Sequence, residues 1–205
     1  MTGIVDYGVG NLFSLRSSFA AIGEETAVSS DPAALARADR LVLPGVGAFG
    51  DAADKLRNAG LDRTVLDFAA AGKPLLGICL GMQLLFESSS EYGHHSGLGL
   101  LPGHVEPIRD VIPADYKIPH IGWNGLVFTA SGKKTPLFRY IREGDFVYFV
   151  HSFYAADCGD ATLAAAEYGA MLTAAAGHDN VFGCQFHPEK SGRVGLAILK
   201  GFCEL

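Results

Sequence analysis

The sequence lacks most of the features that would point to a metal, membrane or nucleic-acid protein. Its four cysteines, at 79, 158, 184 and 203, form no C-x-x-C pair, which excludes a zinc ribbon or thioredoxin-like motif. There is no basic run, and the net charge is −6, so no large nucleic-acid footprint is expected. The longest apolar stretches are strand-sized and far short of a bilayer span. The N-terminus, Met1-Thr2-Gly3-Ile4-Val5-Asp6, has neither the basic start nor the long apolar run of a signal peptide. No G-x-x-x-x-G-K phosphate loop is present. These absences lead to the expectation of a cytoplasmic protein with reduced thiols and no nucleic-acid or membrane partner.

What is present describes one globular domain. The chain has 205 residues, of which 49% are hydrophobic and 19% charged, enough to bury a core and too apolar for disorder. Strand-length apolar runs alternate with helical patterns. This predicts an α/β domain with a mostly parallel central sheet flanked by helices, plus additional antiparallel strands. Strands are expected at 2–7, 25–28, 40–43 and 74–78. Asn11 is placed to cap a helix with Leu12, Leu15, Phe19 and Ile22 on its apolar face, and Gly23 to end it. Asp31-Pro32 opens a short helix, and helices follow at 49–58, 61–70 and 80–87. Residues 88–103 read as a loop. Short strands are then expected at 105–108, 126–128, 146–151, 162–168, 171–176 and 181–186, with hairpins among them, and a last helix at 194–202.

The residues with chemical potential lie at strand ends. Gly77-Ile78-Cys79-Leu80-Gly81, between a strand and a helix, has the pattern of a nucleophile elbow with Cys in place of Ser. The glycines relieve crowding at a strained turn, and a helix N-terminus favours a thiolate. Taken alone, the pentapeptide fits a buried structural cysteine equally well. Gln185-Phe186-His187-Pro188-Glu189 supplies a base and an orienter two residues apart, on one side of an extended backbone. Taken alone it fits an exposed loop. Pro44-Gly45-Val46-Gly47, at the end of another strand, is either an ordinary turn or a source of oxyanion-hole amides. The order Cys, His, Glu joins the three segments into one catalytic reading.

Gly77-Ile78-Cys79-Leu80-Gly81-Met82-Gln83 with Gln185-Phe186-His187-Pro188-Glu189 resembles the glutaminase module of class I amidotransferases. Asp6-Tyr7-Gly8-Val9-Gly10-Asn11, Pro119-His120-Ile121-Gly122-Trp123-Asn124, Tyr148-Phe149-Val150-His151-Ser152 and Glu189-Lys190-Ser191 further resemble the glutaminase subunit of imidazole glycerol phosphate synthase. Phe153 departs from the pattern, relatives often carrying Tyr there. The resemblance covers nearly the whole chain and implies one amidotransferase domain over residues 1–205. It implies a triad of Cys79, His187 and Glu189, with Gln83 and Gly47 contacting glutamine and the amides of Val46 and Leu80 binding the oxyanion. It implies no metal or organic cofactor. The implied partner is a (β/α)8-barrel cyclase of histidine biosynthesis, which uses the ammonia to make imidazole glycerol phosphate and an aminoimidazole carboxamide ribotide. Asn11, Trp123 and Lys190 are candidates for the partner interface. Trp123 also fits a core position. His120 and His151 are read as structural, His94 and His95 as solvent-facing, and Cys158, Cys184 and Cys203 as inert thiols. A stand-alone cysteine hydrolase of γ-glutamyl compounds, and the glutaminase of a different synthase, remain open.

Overall fold

The structure is a computed structural model that describes all of residues 1–205. Its frame is an eight-stranded sheet in the order β2-β1-β3-β4-β14-β13-β12-β9. The first five are β2 (Thr26–Ser29), β1 (Thr2–Val5), β3 (Arg40–Leu43), β4 (Leu75–Ile78) and β14 (Val181–Cys184), and they run parallel. The last three are β13 (Met171–His178), β12 (Thr162–Glu167) and β9 (Val127–Phe128), and they continue it antiparallel. Two smaller sheets complete the fold. One pairs β8 (His120–Gly125) with β10 (Phe146–His151). The other has the order β11 (Phe153–Ala156), β7 (His104–Pro107), β5 (Ser88–Ser89), β6 (His95–Ser96).

Helices cover both faces of the large sheet. Leu41, Leu43 and Leu75 turn to one side, against Leu35 of α2 (Pro32–Ala36), Phe49 and Leu56 of α3 (Phe49–Asn58), and Leu61, Val65 and Phe68 of α4 (Leu61–Ala70). Ile4, Val42, Leu76 and Ile78 turn to the other, against Leu15 and Phe19 of α1 (Leu12–Ala21) and Ile198, Leu199 and Phe202 of α6 (Gly192–Cys203). This follows from strand alternation: neighbouring residues of a buried parallel strand feed opposite cores. The caps read from sequence are present. Asn11 accepts the Ser14 amide at 3.2 Å, and Asp31 accepts the Ala33 amide at 3.0 Å. No helix is long and apolar enough to cross a membrane.

Three expectations need correction. The helix after Cys79 is a single turn, α5 (Leu80–Gln83), instead of 80–87. Its continuation is lost because the following loop captures the carbonyls a longer helix would use. Leu98 donates to Leu84, Leu100 and Leu101 to Leu85, and Gly99 to Phe86, at 2.8–3.0 Å. The loop at 88–103 itself contains β5 and β6. His95 does not face solvent freely, for its ring packs over Gly50 at the start of α3. Strands β8 and β11 were not foreseen.

The elbow depends on close packing between backbones. A Cβ on Gly77 would lie 2.7 Å from the Gly81 carbonyl oxygen, and one on Gly81 would overlap the Leu43 carbonyl oxygen. Alanine at either position must push β3, β4 and α5 apart. Gly81→Ala is therefore expected to destabilise the protein by about 1–3 kcal/mol or more, seen as a lower urea midpoint, whereas Gly72→Ala, with open space around it, should cost only its positive-φ strain.

Candidate active site

Parallel pairing of β14 with β4 puts Cys184 opposite Ile78. The next residues, Cys79 and Gln185, therefore leave the sheet side by side, and His187 follows two residues later. The Cys79 amide donates to the Cys184 carbonyl at 2.7 Å. Cys79 itself has φ 55° and ψ −113°, a conformation that costs a side-chain-bearing residue about 1–3 kcal/mol and persists only where its surroundings enforce it. The strained elbow expected from the sequence is there. Because α5 is one turn long, however, the helix-dipole support expected for a thiolate is slight.

His187 and Glu189 meet as foreseen but by a different backbone. His187 is extended, and Pro188–Lys190 then form one turn of 3-10 helix. This brings Glu189 Oε1 to 2.8 Å from His187 Nδ1. Ser191 holds the turn in place: its hydroxyl donates to the His187 carbonyl at 2.6 Å and accepts the Tyr148 amide at 2.9 Å. The His187 and Glu189 side chains are 4% and 2% exposed, and Glu189 Oε2 has no protein partner, so the imidazole is the main charge complement of that carboxylate. Burial lowers the proton affinity of His187, but its hydrogen bonds to Cys79 and Glu189 and their negative charges outweigh that and raise its pKa to about 9. The arrangement at neutral pH is an imidazolium held between the Cys79 sulfur and the Glu189 carboxylate.

A cleft of about 350 Å³ opens over the sulfur, lined among others by Val46, Gly47, Cys79, Leu80, Gln83 and His187. Every catalytic, substrate and oxyanion candidate except the buried Glu189 thus borders one cavity. Gln83 is almost fully buried, and its side-chain nitrogen is engaged by the Phe153 carbonyl and Gln185 Oε1, so its oxygen is what it can offer a ligand. Tyr7 donates its hydroxyl to the Pro44 carbonyl at 2.7 Å, anchoring the start of the 44–47 segment. Gly47 has φ +98° with no heavy atom near a would-be Cβ.

The interface candidates separate. Lys190 lines the cleft, its ammonium 5.8 Å from the Tyr148 ring centre. Trp123 is 54% exposed and so not core; it meets Tyr148 edge-on at 6.1 Å. Asn11 stays a helix cap outside the cleft. Asn124 is tied inward, donating to the Glu167 carbonyl at 2.7 Å. His120 and His151, read as structural, bond to each other at 3.0 Å and are both buried, and His151 also lines the cleft. Burial pulls His120 down to about 4 and His151 down to about 3.

Sequence reasoning missed three residues of the site: Glu91 and Phe153, which line the cleft, and Gln185, buried against the Cys79 sulfur. Glu91 lies in the loop region and accepts the Phe49 amide at 2.6 Å; nothing local marked it, because its role depends on the loop folding back onto α3. Gln185 was quoted only as part of a motif. Phe153, set aside as a minor departure, lines the cleft.

The other thiols lack such surroundings. Burial raises Cys158 and Cys203 to about 11 and pushes Cys184 higher still. A glutamine-like electrophile at pH 7.5 should label Cys79 and spare the other three cysteines, as read by peptide mass mapping; preferential labelling elsewhere contradicts the assignment.

Comparison with known proteins agrees with this geometry. The family model for "Glutamine amidotransferase class-I" matches residues 4–204. A protein of Wolinella succinogenes named imidazole glycerol phosphate synthase subunit HisH is 49% identical, with 100% of each chain covered. The so-named protein of Bacillus velezensis is 49% identical over 100% of this chain and 96% of its own. Among solved structures, one described as a glutamine amidotransferase superposes with a TM-score of 0.75 at 19% identity, covering 99% of this chain and 97% of the other. PurLQS from Thermotoga maritima gives 0.77 at 20%, with the same coverage. At those identities the structures speak for the fold alone, whereas the family model and the full-length relatives speak for descent. The chain belongs to the class I glutamine amidotransferase family, in the branch formed by the HisH subunits of imidazole glycerol phosphate synthase.

Proposed function

We propose that this chain, as one amidotransferase domain over residues 1–205, hydrolyses glutamine to glutamate and ammonia and delivers the ammonia to a (β/α)8-barrel cyclase in histidine biosynthesis. The observation that carries the reading is the Cys79–His187–Glu189 arrangement at the floor of a cleft, in a chain that matches HisH subunits end to end. Four unpaired cysteines favour a reducing, cytoplasmic setting.

In this mechanism the Cys79 thiolate attacks the side-chain carboxamide of glutamine. The C–N bond breaks as His187 gives its proton to the leaving nitrogen, and ammonia departs. Neutral His187 then takes a proton from water, whose oxygen attacks the glutamyl thioester and releases glutamate. With the glycine segment in its active rotation, the amides of Val46 and Leu80 serve the developing oxyanion. Glu91 is the one carboxylate of the cleft rim and Lys190 the one ammonium, complementary to the α-ammonium and α-carboxylate of the amino acid.

Support for a docked partner comes from the β8–β10 ribbon. Ile121, Trp123, Phe146, Tyr148 and Val150 share its outward face, with Trp123 opposite Tyr148 and Ile121 opposite Val150. Ile121, Trp123 and Phe146 are more than half exposed. An apolar ribbon bordering the mouth of a cleft is a surface that asks for a partner. A closed path there would keep ammonia from protonation in bulk water.

The glycine segment offers the regulatory element. Glycines on both sides of Val46 let the intervening peptides rotate, which would exchange a carbonyl for an amide at the oxyanion site and carry Gly47 from its positive φ into the region open to every residue. One oxyanion donor is worth about 10²–10³-fold. The test is glutamine turnover by the chain alone, with the cyclase, and with the cyclase plus its ribonucleotide ligand. The lone chain should be nearly inactive and the loaded complex fast. A lone chain at full rate, unchanged by partner and ligand, points instead to a stand-alone hydrolase. Gly47→Ala, by penalising positive φ, should change the stimulation factor more than partner affinity. In the complex, turnover should fall as pH rises through about 9, since neutral His187 has no proton for the leaving nitrogen, and His187→Ala should lose about 10²–10⁴-fold.

A further inference from the structure

We propose that Gln185 stabilises the Cys79 thiolate by donating its side-chain N–H to the sulfur, in an orientation dictated by the Phe153 carbonyl through Gln83. This rests on the reading of Cys79 as the nucleophile and adds a fourth residue to its immediate chemistry.

The Gln185 side chain is wholly buried, so its amide must find partners inside the protein. Its orientation can be derived from a group that has no choice. The Phe153 carbonyl can only accept, and it receives His151 Nδ1–H at 2.8 Å and Gln83 Nε2–H at 3.1 Å. That fixes the Gln83 amide with its nitrogen toward Phe153. The second hydrogen on this nitrogen meets Gln185 Oε1 at 2.9 Å. The Gln185 amide is thereby turned so that its nitrogen lies 3.7 Å from Cys79 Sγ. Reversing either amide would oppose oxygen to oxygen or N–H to N–H. Hydrogen bonds to an ionised acceptor are about twice as strong as neutral ones, so this donor favours S⁻ over S–H.

The other end of the chain is equally constrained. His151 gives its one ring proton to Phe153, so its Nε2 accepts from His120 Nδ1, and burial keeps both histidines neutral. The titratable groups around the sulfur are His187 and, behind it, Glu189; Tyr7 from the turn after β1; His151 from β10; and Glu91 and Lys190 on the cleft rim. Of these, His187 is the histidine whose proton affinity the sulfur raises. With α5 only one turn long, Gln185 is the second group positioned to hold the thiolate.

The test uses iodoacetamide, which requires only a nucleophilic thiol, on the full chain in wild-type, Gln185→Leu and Gln185→Glu forms. Labelling is quantified on the Cys79 peptide from pH 5 to 9. Gln185→Leu should slow alkylation at pH 6 on the order of tenfold and move the rate–pH profile toward alkaline pH. Gln185→Glu keeps the size and the acceptor for Gln83 but sets a carboxylate against the sulfur, so its profile should move further in the same direction. If both folded variants alkylate with the wild-type profile, or lose only thermal stability, the proposal fails. Should Gln185→Leu not fold, an unmoved profile in Gln185→Glu suffices to overturn it. Glutamine turnover by the wild-type complex is measured alongside: its absence would count against the amidotransferase reading and leave the alkylation result standing.

Discussion

The site depends on one steric constraint, the contact of the backbone after Cys79 with the backbones of the neighbouring strand ends. Gly77 and Gly81 face each other with no room for a methyl group, and Gly81 sits against the Leu43 carbonyl. Cys79, between them, is left in a left-handed conformation with its amide held by Cys184. A sheet buried on both faces supplies the rigidity that keeps such a strained residue in place. The thiol is lifted into the cleft because the chain has no other way to turn.

Around that thiol the charges are sorted by burial and partner. Three histidines lie within the same region, and only His187 is held protonated at neutral pH, because it alone sits between the Cys79 sulfur and a carboxylate. His120 and His151 are buried against aromatic rings and each other, and low polarity keeps them neutral. They act as fixed dipoles that orient the Phe153 carbonyl environment. The proton needed for the leaving nitrogen is thus stored at one atom rather than shared among three rings.

The sequence made the parallel frame and the triad readable for a physical reason. The strand at 40–43 and the helices at 49–58 and 61–70 match the structure because their apolar residues follow strand and helix periods without interruption. Cys79 and His187 stood out because glycine spacing and the His-Pro-Glu turn are local signals. Contacts between distant segments were hidden. The truncation of α5 depends on carbonyls of 84–86 being taken by residues 98–101, and Glu91 reaches the cleft only through that fold-back. Gln185 gains its role from the register of β14 on β4, which no composition reveals. Strand β8 escaped notice because Gly122 and Gly125 dilute its alternation.

The central claim is that the fold holds His187 as an imidazolium between Cys79 and Glu189 before substrate binds. ¹⁵N NMR of imidazole-labelled protein reads this directly. At pH 7.5 both ring nitrogens of His187 should be protonated, with the proton lost only as pH rises through about 9, and Cys79→Ala should bring that transition down toward the usual histidine range. A His187 ring with one bare nitrogen at pH 7.5 in the wild-type protein would contradict the account.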